Sequence, residues 1–588
     1  MTSSQLAPIV DHRMGRDPRT TTVHTGTMRY PNTDRALLFA VLGLAALTIA
    51  TGLFVTILDG DSAIYATVAK TMVGHGDFVD LFAAGEDWLD KPHLPFWLTA
   101  LSFEVFGFST WAYKLPGVVL VLAAAFYTYT FAKLLYDRHV ALVAAIILLT
   151  AEHTVISSGD VRMEAYLTAF IIGAVYHFYQ TTRGRSNVQL IAGSVLAAAA
   201  VMTKGPFALI PIGGAVGGGL LLSRQWRELF HIRWIAAAIL IFLFISPELF
   251  CLWRQFDAHP EKHVFGRTGV SGLRFFFWDN QFGRFFNTGP YRHGSRDPFR
   301  YFHVVLWAFL PWSITLYAAT CDALRRLIVR QPQTADYFTL SGGLVTFVLF
   351  SASEFQYDHY LTIAFPFFAI ITSAFICGLT NPTAMRWTMI WQWLFVGIAL
   401  AVCMTLQLLV RPDYWAGPAA LLGIAALLAL YLHRRRWERW YGRPVAIMAT
   451  AAIFANLYLN FYTTPTLTKY QAGSEMAFYL NKHYPGQPVI EAGSNYSYTL
   501  EFYLHAPVTK VDDMRLLRES RLTPGALVFG SAGVLRPLGD KFQLLHRTPD
   551  YSVSHPRLAF LNAATREGVV GESWLVRVRD GAPAAAGE

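Results

Sequence analysis

Asp59-Gly60-Asp61-Ser62-Ala63-Ile64-Tyr65-Ala66, and further along the same loop Trp88-Leu89-Asp90-Lys91-Pro92-His93-Leu94-Pro95-Phe96-Trp97, come directly after the first long apolar segment of the chain. An ionised side chain beside hydrocarbon costs on the order of 2.5–3.5 kcal/mol, so such residues face a cavity, a partner or a substrate, unless the loop is simply wet. Which of these holds depends on the sequence around them.

The chain has 588 residues, of which 54% are hydrophobic and 15% charged. A soluble core cannot hide that much apolar surface, so the composition is that of a multi-span membrane protein. The formal charge of +9 does not point to nucleic acid, because of where it sits. Arg13, Arg16, Arg19, Arg29 and Arg35 precede the first span, and Arg434, Arg435, Arg436, Arg439 and Arg443 cluster between two late ones. The positive-inside rule assigns both groups to the cytoplasm. The first 35 residues lack a short apolar region with a cleavage site, so the first span reads as a retained anchor. Cys251, Cys321, Cys377 and Cys403 lie in or beside apolar runs, with neither disulfide nor zinc spacing.

Apolar runs near 36–57, 115–134, 139–157, 164–181, 188–203, 206–222, 233–251, 302–320, 337–352, 360–379, 387–410, 416–432 and 444–461 predict about thirteen spans. An odd number starting inside finishes outside, which puts loops 58–113 and 252–300 and the C-terminal region on the non-cytoplasmic side. Arg138, Arg183, Arg185, Arg224, Arg227, Arg325 and Arg326 then fall inside, as the rule requires.

The outer loops hold the unusual chemistry. In 58–113 the acids and Lys91 are interleaved with Phe78, Phe82, Trp88, Phe96 and Trp97, which predicts interfacial helices. A turn reads Ser157-Ser158-Gly159-Asp160-Val161-Arg162-Met163-Glu164. The 252–300 loop carries His259, His263, Arg267, Arg274, Asp279, Asn280, Gln281, Arg284, Arg292 and His293, and a further turn reads Glu354-Phe355-Gln356-Tyr357-Asp358-His359-Tyr360. Lys204-Gly205-Pro206 predicts a tight reversal; its lysine either snorkels from a simple helix hairpin or serves the site. Gly213-Gly214 and Gly217-Gly218-Gly219 follow no strand and predict close helix packing, not phosphate binding.

After Pro465 helical and strand patterns alternate: a helix at 475–483, a strand at 488–492, a helix at 497–504 and strands at 526–530 and 573–578, which predict a small α/β domain. The division is therefore a basic cytoplasmic segment 1–35, a membrane domain 36–462, a soluble domain 463–580 and a disordered tail 581–588.

Asp61-x3-Tyr65-Ala66, Trp88-Leu89-Asp90-Lys91-Pro92-x-Leu94-x-x-Trp97, Thr203-Lys204-Gly205-Pro206, Phe276-Phe277-x4-Phe282-x-Arg284-Phe285 and Pro298-Phe299-x-Tyr301 leading to Phe309-Leu310-Pro311-Trp312 together resemble the bacterial aminoarabinose transferases of lipid A. They also resemble the wider protein-mannosyltransferase-like group of membrane glycosyltransferases with the GT-C fold. The resemblance extends from about residue 36 to 375 and implies a polytopic α-helical GT-C protein with a small C-terminal α/β periplasmic domain. It further implies an inverting glycosyltransferase that moves a sugar from a polyprenyl-phosphate donor to a lipid, glycan or protein acceptor at the outer face of the inner membrane. The family's acid falls on Asp61 as base, and its second-loop acid on Glu164 with Asp160 the alternative. Lys91, Arg284 and Lys204 become phosphate partners, and Tyr65, Asp90, Gln281, Tyr357 and His359 substrate contacts. No cofactor is required, though a divalent cation is compatible; membrane lipids and no nucleic acid are the expected partners, and a monomer the expected state. The sequence departs from the family where Ser62, Ile64 and Asn280-Gln281 replace its acid, its arginine and its Glu-His pair, which leaves a metal site and lipid A as acceptor open. The reading from a different class is a transporter or flippase, since an intramembrane lysine with clustered acids also marks translocation paths.

Overall fold

The structure is a computed structural model that describes residues 33–290, 292, 296–329, 334–412, 415–493, 496–511, 523–554 and 556–579. The arginines before residue 33, His293 and the 581–588 tail lie outside the described residues.

Each of the thirteen apolar runs is helical. Seven helices are long and apolar enough to cross a membrane alone. Among the described residues two bent pairs, Arg138–Thr150 with Glu152–Gly159 at 55° and Trp226–Phe244 with Ser246–Asp257 at 42°, have the length and composition of a broken span or a re-entrant loop. The remaining four runs are shorter, broken or more polar; among them Met163–Gly184 carries Glu164 into the interior. A helix that lines a polar cavity sacrifices apolar continuity there, which is why it fails a test of length and hydropathy.

Burial sorts the helices into inner and outer. In Arg138–Thr150 every residue from Val140 onward is buried. Met163–Gly184 packs between Thr110–Leu135 and Asn187–Lys204. Pro382–Val410 and Ala416–Arg434 instead expose Trp387, Leu394, Leu408 and Leu427, the face a lipid surround accepts. The glycine run in Leu209–Leu222 packs as expected: a Cβ on Gly214 would stand 2.7 Å from Val345, and one on Gly219 2.3 Å from Phe338. Lys114, 1% exposed, donates to the Gly52 and Val55 carbonyls at 3.1 and 2.7 Å, pairing acceptors left open where the first helix ends.

Between the first and second crossings, helix Asp61–His75 is followed by a small hairpin of Phe82–Ala83 with Glu86–Asp87 and then by helix Leu94–Phe106. The second of these leaves Leu101, Val105 and Phe106 exposed, as an interfacial helix does.

The C-terminal region contains one five-stranded sheet, in the order 508–511, 489–492, 527–531, 571–578, 542–550. The first three strands are parallel, and the last two are added antiparallel. Helices Ala472–His483 and Tyr498–Tyr503 and strands Val489–Ala492, Leu527–Ser531 and Gly571–Val578 stand where the alternating pattern predicts them. The Val508–Val511 and Phe542–Asp550 strands are additions that the pattern does not reveal.

Candidate active site

Six separate segments meet around one polar cavity of about 400 Å³. Asp61 enters it from the first turn of its helix, Asp90 and Lys91 from the loop before Leu94, Glu164 from the start of the 163–184 helix, and Arg284 from the 252–300 loop. Tyr65, Tyr357 and His359 also line it. A second, apolar chamber adjoins it, lined by Phe207, Phe285, Leu349, Phe350 and Ile363 together with Gln281. Lys91, Glu164, Lys204, Arg284 and Tyr360 line both chambers, so the cations stand at the junction of a polar and an apolar space.

Asp90 organises that junction. Its carboxylate pairs with both Lys91 and Arg284. Arg284 is fixed further by Asn280, whose Oδ1 accepts from Nε at 2.6 Å, and by Tyr360, whose hydroxyl accepts from Nη1 at 3.3 Å. Burial opposes the charge on Asp90, but Lys91 and Arg284 outweigh it and hold the carboxyl below its usual range. For Lys91 burial wins over Asp90, and the ammonium is held below the usual lysine range. The loop is pinned behind these residues: the backbone amide of His93 donates to Glu248 at 2.9 Å, and the His93 ring bonds Glu248 at 3.0 Å and the Val79 carbonyl at 2.8 Å.

Lys204 does not snorkel. It pairs with Glu164, which is 1% exposed, and its ammonium lies 3.7 Å from the centroid of the Tyr360 ring. His359 approaches the other oxygen of Glu164 at 3.9 Å. The reversal after Lys204 needs glycine: Gly205 has φ 96°, and a Cβ there would stand 2.1 Å from Nε2 of Gln281. That Gln281 amide in turn donates to the Phe276 carbonyl at 3.1 Å, which ties the lysine's turn to the long loop.

Asp61 is about half exposed, and its Oδ2 accepts from Nη1 of Arg162 at 3.2 Å. Arg162 also bonds Asp160, at 3.0 Å from Nε and 2.7 Å from Nη2. Burial works against the guanidinium's charge, but Asp160 and Asp61 raise its pKa further. Asp160 is the one predicted site residue that lines neither chamber; it stands behind Arg162. Arg162 was not among the predicted site residues, and its only signal was its place in the same outer turn as Glu164. It supplies the guanidinium beside the acid although Ile64 stands where the related transferases carry arginine.

Of the remaining long-loop cations, Arg292 lines the polar chamber, while His259 pairs with Glu261 at 3.0 Å, away from it. Among the described residues no three of His, Cys, Asp and Glu converge as a metal-holding group.

Residues 90–251 match the family described as dolichyl-phosphate-mannose-protein mannosyltransferase. Over the whole chain the fold is similar to that of ArnT from Cupriavidus metallidurans, crystallised with bound undecaprenyl phosphate, at a TM-score of 0.70 and 16% identity, covering 95% of this chain and 100% of that one. The multi-helix architecture with its appended sheet is thus GT-C-like in fold, and the chain is similar to that ArnT in fold. An undecaprenyl phosphate-alpha-4-amino-4-deoxy-L-arabinose arabinosyl transferase of Edwardsiella ictaluri is 26% identical over 336 residues, which is 55% of this chain and 57% of that protein's length. A protein of Aquifex aeolicus without assigned function is 23% identical over 478 residues, 80% of this chain and 86% of its own.

Proposed function

We propose that the protein transfers a sugar from a polyprenyl-phosphate donor to a hydroxyl of a membrane-associated acceptor, with inversion at the anomeric carbon. The observation that carries this reading is the junction: Lys91, Lys204 and Arg284 line both a polar and an apolar chamber. A phosphate between a sugar and a long isoprenoid chain needs that sequence of surroundings. The ArnT with bound undecaprenyl phosphate shares the fold and supports the same donor class here.

The charges fit the reaction. Lys91, Arg162, Lys204, Arg284 and Arg292 face Asp61, Asp90 and Glu164 along the polar wall, an excess of positive charge. The donor is a phosphodiester with a single negative charge, whereas the departing polyprenyl phosphate is a monoester carrying about −1.5 to −2 at neutral pH. A cationic wall therefore gains most as the bond from the anomeric carbon to the phosphate oxygen breaks, which is stabilisation of the transition state over the ground state. Because that leaving group needs no proton, the required base acts on the acceptor. Asp61 takes the hydroxyl proton as the oxygen attacks the face opposite the phosphate, and the electron pair of the broken bond leaves on the phosphate. Arg162 holds Oδ2 of Asp61 and Asp160 holds Arg162, so Oδ1 is the oxygen left to receive the proton. Glu164, buried between Lys204 and His359, acts as a positioning residue for Lys204. Tyr65, Asp90, Gln281, Tyr357 and His359 shape the sugar and phosphate ends of the cavity.

This reading puts the cavity and the C-terminal sheet on the periplasmic side of the inner membrane, with the basic N-terminus in the cytoplasm and the domains divided near residues 36 and 462. No observation favours a transporter or flippase over it. The test is sugar transfer by the purified chain in nanodiscs, followed by mass spectrometry with an undecaprenyl-phosphate-linked pentose or hexose. Asp61→Asn abolishes transfer while undecaprenyl phosphate still binds; full turnover by that variant would remove Asp61 as base. Lipid and glycan mass spectrometry of cells with and without the gene identifies the acceptor through a lost mass increment.

A further inference from the structure

The C-terminal sheet contains a cavity of its own, about 320 Å³, apart from the two chambers described above. Its position follows from the strand order. The chain runs from Val489–Ala492 out to Val508–Val511 on one side and returns to Leu527–Ser531 on the other, so the strand order reverses between Val489–Ala492 and Leu527–Ser531. Open α/β sheets bind ligands in the crevice at the carboxyl ends of the strands where the order reverses. Ala492, Gly493, Gly530 and Ser531, at those ends, line this cavity, and Asp59 and Gly60 of the membrane domain close it from the other side.

The lining is acidic and rich in hydroxyls. Asp59, Glu491 and Asp550 contribute carboxyl groups and Ser497, Ser531 and Ser573 hydroxyls, with no lysine or arginine among the described lining residues. Glu491 is 3% exposed. Its Oε1 accepts from the Ser497 amide at 2.8 Å, whereas its Oε2 is buried with no partner among the described residues. A buried carboxyl oxygen without a hydrogen bond bears its full desolvation cost until a partner reaches it, and Glu491 lines this cavity. Burial, opposed by the Ser497 amide and reinforced by Glu501 and Asp59, pushes Glu491 up to about 8. At neutral pH it therefore carries a proton and can donate as well as accept.

Carboxyl groups and hydroxyls without a cation among the described lining residues suit an uncharged or amine-bearing ligand better than an anion. The carboxyl groups do not converge as a metal-holding group among the described residues, which argues against a single ion. Donors and acceptors distributed around a concave wall suit a ligand that itself carries several hydroxyls. We infer that this cavity is a saccharide-binding site for a neutral or amine-bearing sugar, separate from the site of transfer. That its occupant is the carbohydrate of the acceptor rests on the transferase reading above.

The site adjoins the proposed base through the chain itself. Asp59 is held by the soluble region at three points: its amide donates to Gln471 at 3.0 Å, Thr499 donates to its carboxylate at 2.6 Å, and Ser554 donates to its carbonyl. Gly60, at φ 113°, then turns the chain directly into Asp61. A sugar bound against Asp59 touches the loop that ends on the base.

Saturation-transfer difference NMR on the full chain in detergent micelles, with glucose, N-acetylglucosamine and glucosamine as probes, tests the site. At least one of them gives a saturable signal; Ser531→Trp, on an exposed position at the rim, and the isosteric Glu491→Gln each weaken it by about tenfold or more. Asp61→Asn leaves it intact. No saturable signal from any of the three sugars, or an unchanged signal in Ser531→Trp, overturns the proposal. So does a signal lost in Asp61→Asn and kept in Ser531→Trp, which assigns the sugar to the transfer cavity. Failure of the transferase reading is separately visible, as a wild type that binds sugar but transfers none.

Discussion

Replacing Lys91 with Met keeps the aliphatic stem and removes one charge from the junction of the two chambers. The Lys91 side chain is 9% exposed, beside Asp90 and 5.8 Å from the centroid of the Tyr65 ring. At an effective dielectric near 20, an ammonium about 4 Å from a unit charge is worth about 4 kcal/mol. The charge already present on the donor is felt in ground state and transition state alike. Only the second charge, which develops as the sugar leaves, discriminates between them, and Asp90 withholds part of the ammonium's field from it. Halving the Coulomb figure for that competition leaves about 2 kcal/mol, a loss of roughly 30-fold in kcat. The variant folds, because Arg284 still neutralises Asp90. Initial rates in nanodiscs over a range of donor concentrations separate kcat from KM, and inhibition by undecaprenyl phosphate reports affinity for the doubly charged product. The expected pattern is a fallen kcat, from the charge that develops as the sugar leaves, together with a raised donor KM, from the charge the donor already carries, and weaker product inhibition, with partial recovery in Lys91→Arg. A raised KM at unchanged kcat would mean that Lys91 binds donor and transition state equally, and would refute the argument.

Gly205→Ala forces a Cβ toward Gln281 at a backbone angle that L side chains rarely adopt, and costs roughly 1–3 kcal/mol in thermal stability, with Lys204 displaced and transfer lost. A melting temperature and rate equal to wild type would show that the reversal is not constrained. Glu491, raised from 4.5 to about 8, stabilises the fold fully below pH 4.5, and that stability is lost as pH climbs toward 8. Asp59 and Glu501 share its surroundings and Lys510 opposes them, so the check is the difference between proteins: Glu491→Gln flattens the fall in melting temperature from pH 5 to pH 8.5, and identical slopes would contradict the assignment.

The membrane fold was legible because it rests on apolar runs, and a run of that kind has few alternatives to a helix in lipid. The bends were not legible. The 55° break between Thr150 and Glu152 falls inside what reads as a single run at 139–157, although Glu152 and His153 stand at the bend. The site was legible one residue at a time: Asp61, Lys91 and Arg284 stand out as charges near spans. Their pairings did not, since Glu164 finds Lys204 forty residues away and Arg284 finds Asp90 across 194. Arg162 escaped notice because a guanidinium in a turn has a wet surface as its ordinary place, and only the fold brings Asp61 to it. The Phe542–Asp550 strand escaped for a different reason. Its burial does not alternate, and a register shift between Leu544 and His546 breaks the two-residue period on which recognition depends.

Asp59 gives the fullest correction, because as a sequence feature it reads as a helix-end or solvated acid, and in the structure the C-terminal region grips it. The same region takes hold of the helix that follows. Lys70, about two and a half turns of helix beyond the proposed base, donates to the carbonyls of Glu501, Phe502 and Leu504 at 2.6, 2.9 and 2.8 Å, capping the carboxyl end of the Tyr498–Tyr503 helix. The Ile57 amide adds a bond to the Tyr503 hydroxyl at 2.9 Å. Asp61 thus sits on a segment fastened before and after it by a soluble sheet, while its reaction partners come from the membrane helices and the outer loops. A base transfers a proton efficiently only within hydrogen-bond reach, and a displacement of about 1 Å can cost about 10²-fold. Aiming the carboxylate from a rigid sheet leaves the membrane helices free to form the apolar chamber, and it gives whatever binds at Glu491 a direct mechanical hold on the position of Asp61.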